Sequence, residues 1–291
     1  MILLLFYKHS MTIKEIIQQS NTTLQSLSPT PELDTYIIVE YVLGLNKLEA
    51  IMHQDDIVPT REIEAIQECI QERLNHKPIA YIIGHKEFYG RDFVVNNEVL
   101  IPRPETEAII DITKTVFENI TNPIIWEIGT GSGCVAVTLA LEIPNSDIYA
   151  SDISPRALQI AQNNAILITS KQSLIKWFEG DLIDAFPQDI IPNLIIANLP
   201  YLDKNQYTDD SLLYEPDLAL YSNNNGLEHY IRLIQNIKSR FIVYPKILIE
   251  INPEQVSPLQ DFIQNIFVSS HITIYKDLQG LDRHMLIEFN Q

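Results

Sequence analysis

The most chemically specific stretch of the sequence is Asn198-Leu199-Pro200-Tyr201. It follows the apolar run 194–197, which predicts a buried strand, and open α/β sheets bind ligands at the carboxyl ends of their strands. The side-chain oxygen of Asn198 and the next backbone carbonyl are two acceptors, which suit the two N–H bonds of a planar NH₂ group. The Tyr201 ring suits a flat group stacked on it, and Pro200 stiffens the turn without adding a donor. The pattern indicates an enzyme acting on a planar amine or carboxamide nitrogen; an ordinary Asn-Pro turn is the alternative.

A second motif is a glycine-rich loop between a predicted strand and a predicted helix. Its residues are Gly129, Thr130, Gly131, Ser132 and Gly133. Glycines let a backbone turn sharply and let a ligand approach closely, and free N–H groups at a helix start attract polar or anionic groups. The loop therefore predicts contacts to a nucleoside cofactor. The stretch through Ala136 also matches the nicotinamide dinucleotide fingerprint with its permitted final alanine, so the loop alone leaves the cofactor open.

Three acidic residues are spaced to face the same cofactor. Asp152 closes the next predicted strand, where a carboxylate can accept two ribose hydroxyls or can cap the following helix. Glu127 precedes the glycine loop, where it can order the loop by accepting N–H groups or face the charged amino-acid end of a cofactor. Asp181 follows the third predicted strand, and it can contact the exocyclic amine of adenine or act as a turn residue.

The elements that must hold these motifs alternate between strand and helix from about Pro123 onwards. Strands are predicted at 124–128, 147–151, 174–178, 194–197, 246–251, 271–276 and 284–289. This alternation predicts an α/β fold with a seven-stranded, Rossmann-like sheet that is mostly parallel and covered by helices on both faces. Only Asp277–Arg283 separate the last two strands, which is too short for a parallel crossover. The last strand is therefore expected to be reversed.

The chain is expected to contain two domains and a linker. A helical bundle, a β-hairpin linker and the α/β domain are predicted over residues 1–78, 79–104 and 105–291. The bundle begins with a capping box between Thr12 and Glu15, and we interpret residues 1–10 as an extension upstream of the start. The hairpin is assigned to the strand-forming runs 79–83 and 93–101, which have two glycines between them.

The net charge is strongly negative and narrows the classes of partner. The chain has 291 residues, with 20 Lys+Arg against 38 Asp+Glu and a formal net charge of −18 at pH 7. Phosphate neutralisation supplies most of the affinity for nucleic acids, and neither residues 1–85 nor 86–291 carry an excess of basic residues. We therefore expect no stable nucleic-acid partner. No apolar run approaches a membrane span, and the two cysteines have no metal-ligand spacing, so neither a membrane nor a metal is expected.

Taken together, the glycine loop, Asp152 and the tetrapeptide resemble those of S-adenosylmethionine-dependent methyltransferases with a seven-stranded sheet. Five further stretches narrow the likeness, namely 78–84, 87–90, 100–107, 214–220 and 277–283. Together they resemble the release factor glutamine methyltransferases over about residues 12–289, and LIPRPETE at 100–107 is the most specific. The family usually has Asn-Pro-Pro-Tyr, whereas Leu199 stands here in place of the first proline, and Glu127 replaces its usual Asp.

The resemblance implies methyl transfer from S-adenosyl-L-methionine to N5 of the glutamine in the Gly-Gly-Gln motif of class 1 peptide-chain release factors. It implies cofactor contacts by Glu127, residues 129–133, Asp152, Asp181 and Asn198. It implies substrate contacts by residues 198–201, with Asn198, Pro200 and Tyr201 as the catalytic residues. We expect a cytoplasmic monomer whose helical bundle binds the body of the release factor.

Three alternatives remain open on the sequence. The first is an N6-adenine methyltransferase acting on rRNA or DNA, which the tetrapeptide allows and the charge disfavours. The second is a nicotinamide oxidoreductase, which leaves the tetrapeptide and the reversed strand unexplained. The third is a non-catalytic interaction protein on the same scaffold, which the intact cofactor and amide positions oppose.

Overall fold

The computed structural model describes residues 10–169, 175–204 and 210–289. The chain divides into two compact units. One contains Met1–Gly84 and Asp210–Tyr214, and the other contains His85–Asp209 and Glu215–Gln291. Along the described residues, no helix is long and apolar enough to cross a membrane, and no group of three or more His, Cys, Asp or Glu residues is placed to hold a metal ion.

The first unit is a helical bundle. Its elements are β1 (Met11–Thr12), α1 (Ile13–Leu24), α2 (Pro31–Leu43), α3 (Lys47–Met52), β2 (Ile57–Val58), α4 (Thr60–Leu74), α5 (Ile79–Ile83) and a 3₁₀ turn at Asp210–Tyr214. The capping box predicted for α1 is present: the Thr12 hydroxyl accepts from the Glu15 N–H at 3.2 Å, and the Glu15 carboxylate accepts from the Thr12 N–H at 3.0 Å. Apolar residues spaced three or four apart, among them Ile63, Ile66 and Ile70, form its core.

The strand predicted over 79–83 is wrong. These residues form α5, with Pro78 before the helix and Gly84 as its left-handed cap at φ 80°. Proline before a helix and glycine after it are ordinary boundary signals, and they outweigh the β-branched composition. The hairpin lies later, in β3 (His85–Phe88) and β4 (Arg91–Val94), which pair antiparallel. Most of the run 93–101 is therefore not strand.

The second unit is built on a seven-stranded sheet. Its strands are β5 (Ile124–Ile128), β6 (Asp147–Asp152), β7 (Ile175–Glu179), β8 (Leu194–Ala197), β9 (Lys246–Glu250), β10 (Ser270–Lys276) and β11 (Asp282–Phe289). The order is β10-β11-β9-β8-β5-β6-β7, with β5 to β9 parallel and β11 antiparallel to both its neighbours. The predicted α/β class and reversed last strand are confirmed. Residue 174, the predicted start of the third strand, lies outside the described residues.

Helices cover both faces of this sheet. They are α6 (Ala108–Val116), α7 (Cys134–Glu142), α8 (Pro155–Thr169), α9 (Asp217–Leu220), α10 (Asn223–Gly226), α11 (Glu228–Arg240) and α12 (Val256–Ile266), with 3₁₀ turns at Pro104–Glu107, Leu182–Ala185 and Pro253–Gln255. Successive strand residues point to opposite faces. Trp126 and Ile195 pack with α11 and α12, whereas Ile125 and Leu194 pack with α6, α7 and α8. The two apolar cores hold the carboxyl ends of β5 and β8 side by side.

Candidate functional site

The glycine loop and the tetrapeptide meet at the ends of β5 and β8, which are neighbours in the sheet. A Cβ placed on Gly129 would lie 3.3 Å from the Leu199 side chain and 3.8 Å from the carbonyl oxygen of Asn198. A cavity of about 390 Å³ opens beside them. This volume lies within the range of small-molecule sites.

Most of the predicted site residues line this cavity. They are Glu127, Gly129, Thr130, Gly131, Ser132, Asp152, Asp181, Asn198, Leu199 and Pro200. Gly133 and Tyr201 are not among the lining residues. A Cβ on Gly133 would lie 2.9 Å from the Cβ of Ala161, so this glycine lets α7 pack closely on α8. The structure thus brings together ten of the twelve predicted residues.

Asp152 stabilises the glycine loop and is also a candidate residue for binding the cofactor. Its Oδ2 accepts from the Gly131 N–H at 2.9 Å, and its Oδ1 accepts from the Ser154 N–H at 2.9 Å. Burial raises the pKa of Asp152, although these backbone bonds act in the opposite direction. A carboxylate has about four lone-pair positions, and the backbone of Ile153 is a third donor to Asp152 beside Gly131 and Ser154, so capacity remains for a ribose hydroxyl. The cap of α8 is Ser154, whose hydroxyl accepts from the Ala157 N–H at 3.2 Å, whereas holding the glycine loop and binding ribose are compatible roles for Asp152.

Glu127 is a buried acid on the cavity wall. It is 4% exposed, and its Oε2 accepts from the Thr130 hydroxyl at 2.6 Å. Burial raises the pKa of Glu127 from 4.5 to about 8 despite this bond, and the charge of Asp152 adds to the effect. A cationic group placed beside Glu127 would favour its ionised form. The residue therefore orders the loop and suits a positively charged ligand end.

Asp181 already has a partner that the sequence did not suggest. Its Oδ2 contacts Nη2 of Arg232, which lies on α11, and both side chains remain partly exposed on the cavity wall. Since the two residues are 51 apart in sequence, no local spacing links them. The contact of Asp181 with an adenine amine stays a prediction, and Arg232 joins the candidate site.

Leu199 has structural partners that a proline could not fully replace. Its N–H donates to the Tyr230 hydroxyl at 3.2 Å, and proline has no N–H. The Tyr230 hydroxyl in turn lies 2.5 Å from the carbonyl oxygen of Glu250, so it joins the ends of β8 and β9. The Leu199 side chain is 6% exposed and belongs to the core beneath the site. The substitution therefore changes packing as well as loop stiffness.

A buried polar network lies behind the tetrapeptide. Nδ2 of Asn198 donates to Oγ1 of Thr106 at 3.2 Å, and Thr106 donates to Oε2 of Glu250 at 2.7 Å. The Tyr201 hydroxyl lies 3.4 Å from Oε1 of Glu250. Burial raises the pKa of Tyr201 above its ordinary value of 10, and the charge of Glu250 adds to this effect.

Neither Thr106 nor Glu250 has a role that is predicted from the sequence. A signal existed for Glu250, because it is an acid at the carboxyl end of a predicted strand, as Asp152 is.

Two stretches noted for their family likeness are joined by an ion pair. Nη2 of Arg103 lies 2.5 Å from Oε1 of Glu215, and the Ile101 N–H donates to Oε2 of Glu215 at 3.1 Å. Glu215 is 5% exposed, and Arg103 lines the cavity. This pair fixes the LIPRPETE segment, and with it Thr106, against the segment that begins at Glu215.

Comparison with known proteins assigns the chain to a family. Residues 15–84 match the PrmC N-terminal domain, and residues 110–214 match the methyltransferase small domain. The release factor glutamine methyltransferase of Neisseria gonorrhoeae is 34% identical over 88% of this chain and 93% of its own length. That of Leptospira interrogans is 33% identical over 96% of this chain and 99% of its own length. The chain belongs to the release factor glutamine methyltransferase family.

Other curated relatives are longer than this chain. The bifunctional methyltransferase of Rickettsia felis is 33% identical, and the match covers 94% of this chain and 58% of that protein. The chain thus spans little more than half the length of these curated relatives. Among solved structures, a methyltransferase from Pyrococcus furiosus matches with a TM-score of 0.51 at 18% identity, over 76% of this chain and 95% of that one.

The hMettl16 catalytic domain, in complex with a MAT2A 3′UTR hairpin, matches with a TM-score of 0.56 at 16% identity, over 81% of this chain and 83% of that one. At such low identities, the two solved structures support the fold alone.

The methyl donor of this methyltransferase family is S-adenosylmethionine, and the cavity fits it. Asp152 keeps acceptor capacity for a ribose hydroxyl, and Glu127 suits the cationic amino-acid end. Gly129 and Gly131 have left-handed backbone conformations, at φ 72° and 55°. Because glycine has no side chain, the backbone at these two positions is open to a closely approaching ligand.

Proposed function

We propose that the chain transfers a methyl group from S-adenosylmethionine to N5 of the glutamine in the Gly-Gly-Gln motif of class 1 peptide-chain release factors. The observation that carries this proposal is the placement of Asn198 beside the glycine loop, on one wall of one cavity. Family membership supports glutamine as the residue that enters it.

The tetrapeptide is suited to a weak nucleophile. The lone pair of a carboxamide nitrogen is delocalised into its carbonyl, so the nitrogen reacts only when it is well aimed. Oδ1 of Asn198 and the carbonyl oxygen of Leu199 would accept its two N–H bonds and direct its π face toward the methyl group. For well-aligned reactants, proximity contributes up to about 7–11 kcal/mol. The proton leaves after transfer, when the nitrogen is cationic and strongly acidic.

The cofactor would supply an electrophilic methyl group on a positively charged sulfur. That charge passes from the sulfur to the nitrogen and is spread over both atoms in the transition state, so exclusion of water from the cavity favours transfer. Pro200 keeps the turn stiff, and Tyr201 is held through its hydroxyl near Glu250. Packing of the Tyr201 ring on the amide plane remains part of the proposal.

The acidic composition supports a protein substrate over a nucleic acid. A release factor works among RNA phosphates, so the surface around its Gly-Gly-Gln loop is expected to be basic. A chain with a formal net charge of −18 would be steered toward such a surface and away from rRNA or DNA. The N6-adenine reaction is therefore the less favoured candidate.

The proposal gives each of the two domains the role that is predicted from the sequence. Residues 1–78 would recognise the body of the release factor, and residues 105–291 would carry out the transfer. The match of residues 15–84 to the PrmC N-terminal domain supports the first assignment.

The test uses tritiated S-adenosylmethionine with a release factor, its Gly-Gly-Ala variant, rRNA and DNA. We expect label in the release factor and none in the Gly-Gly-Ala variant. Label in rRNA or DNA instead would overturn the proposal.

The Asn198→Ala variant should nearly abolish transfer while its affinity for the cofactor changes little. Asn265→Ala, at an exposed position of α12, is the matched control and should retain full turnover. Retained turnover in Asn198→Ala would contradict the role of the tetrapeptide.

A further inference from the structure

Glu250 is almost completely enclosed, at 1% exposure, directly behind the tetrapeptide. Two hydroxyl groups point at its carboxylate: that of Thr106 lies 2.7 Å from Oε2, and that of Tyr201 lies 3.4 Å from Oε1. Nε2 of His284, which is opposite Glu250 in the β9–β11 register, lies 3.6 Å from Oε2. Potential donors therefore surround Glu250, which suits a group that only accepts hydrogen bonds.

The donor and acceptor chemistry of Asn198, Thr106 and Glu250 sets the direction of the two hydrogen bonds that join them. A threonine hydroxyl has one proton and two lone pairs, whereas an ionised carboxylate has lone pairs only. At 2.7 Å, Thr106 must donate its proton to Glu250, because two acceptors at that separation would repel. Thr106 can then offer only a lone pair to Asn198, 3.2 Å away, so the NH₂ group of Asn198 must face Thr106.

We propose that Thr106 and Glu250 are positioning residues that fix the carboxamide of Asn198 with its oxygen toward the substrate nitrogen. This inference rests on the proposed function, since it assigns a role to the orientation of Asn198 in amide binding. The oxygen and NH₂ ends of an asparagine side chain have nearly the same size, so packing cannot select between them. In the reversed orientation, Asn198 would present donors to the NH₂ group of the substrate.

The role of Glu250 as a hydrogen-bond acceptor is as necessary to this arrangement as its shape. A glutamine at position 250 can turn its NH₂ group toward Thr106, which frees the threonine proton to be donated to the oxygen of Asn198. The asparagine is then held in the reversed orientation. Glu250→Gln is therefore expected to impair turnover although it is close to isosteric.

The test compares Thr106→Val, Thr106→Ser and Glu250→Gln for kcat and for KM on the release factor, with cofactor affinity measured by calorimetry. Thr106→Val should lower kcat by about tenfold or more, as expected for a lost hydrogen bond in a buried network. Thr106→Ser should restore turnover, because it keeps the hydroxyl. Cofactor affinity should stay close to that of the wild type in all three variants.

The matched control is Thr113→Val on α6. Thr113 is also fully buried, and its hydroxyl has no hydrogen-bond partner among the described residues. This variant should keep the wild-type kcat. If it loses activity as strongly as Thr106→Val does, the loss reports buried threonine packing and the inference is overturned.

Two further outcomes would overturn the inference: an unchanged kcat in folded Thr106→Val, or an equal loss in Thr106→Ser. If Thr106→Val does not fold, Glu250→Gln takes its place in the test. An unchanged kcat in that variant, at unchanged cofactor affinity, would overturn the inference. A wild-type protein that transfers no methyl group to release factors refutes the proposed function instead, so the two failures are distinguishable.

Discussion

Replacement of Glu127 by glutamine should make the second unit more stable, and the gain should grow with pH. The Glu127 side chain is 4% exposed and accepts hydrogen bonds from the Thr130 hydroxyl at 2.6 Å and from the backbone N–H of Ala136. Glutamine has nearly the same shape and can keep a hydrogen bond to that hydroxyl. The variant therefore removes the ionisable group with little change in packing.

The size and sign of the effect follow from the pKa of Glu127. Burial raises this pKa from 4.5 to about 8, so the folded protein holds a proton that the unfolded chain releases between these values. Stability then falls as the pH rises from 4.5 to about 8, by about 1.36 kcal/mol per pH unit and up to about 5 kcal/mol in total. Below 4.5 both states are protonated and the penalty is absent.

The assay is urea unfolding of the wild type and Glu127→Gln at pH values from about 5 to about 9. Both tryptophans, Trp126 and Trp177, lie in the second unit, so their fluorescence reports that unit alone. The high net negative charge affects both proteins alike, so the difference between their unfolding free energies isolates Glu127. We expect this difference to increase in favour of the variant up to about pH 8 and then to level off.

A difference that does not change with pH would refute the reasoning. It would mean that Glu127 is ionised in the folded protein throughout the range, and that its burial is offset by groups other than Thr130 and Ala136. A loss of stability in Glu127→Gln at high pH would refute it more directly, because the variant would then lack a favourable charge.

Two other variants test separate parts of the site. Asp152→Asn keeps one acceptor oxygen but replaces the other, so it should weaken cofactor binding by about tenfold or more and should also lower the melting temperature; unchanged affinity in a binding titration would contradict the ribose role. Gly226→Ala should lower both kcat and the melting temperature, because its Cβ would lie 1.9 Å from the carbonyl oxygen of Tyr201 at a backbone φ of 80°. Gly280→Ala is the matched control, since φ there is 82° and a Cβ would meet nothing within 4 Å; equal losses in both variants would show that backbone strain alone is responsible.

The sequence predicts the sheet well because its signals are local. The apolar runs at β5 and β8 are each followed by a motif that ends the strand, so strand and loop could be located together. The failure at Ile79–Ile83 has the same origin, because a five-residue run rich in isoleucine fits a strand or a buried helical turn equally well. Its flanking Pro78 and Gly84 were the better guide.

The residues of the candidate site also differ in whether a local sequence signal predicts them. The glycine loop and Asn198 each follow a strand and Asp152 ends one, and topology alone places them on one edge of the sheet. The hydrogen bond from Thr106 to Glu250 joins residues 144 apart, and only the folded chain reveals it. The same holds for the partner of Asp181, since a contact between distant segments leaves no mark on local spacing.

The position of β11 has a consequence for the order in which the sheet can assemble. This strand lies between β9 and β10 but follows both in the chain. As the chain is synthesised, β9 therefore emerges with one edge unpaired, and β10 has no place in the sheet until Asp282–Phe289 has followed it. An unpaired edge can recruit strands from other chains. Translation that stalls before β11 would thus leave a chain with a complete glycine loop and tetrapeptide, yet prone to aggregate and lacking the strand that seals Glu250.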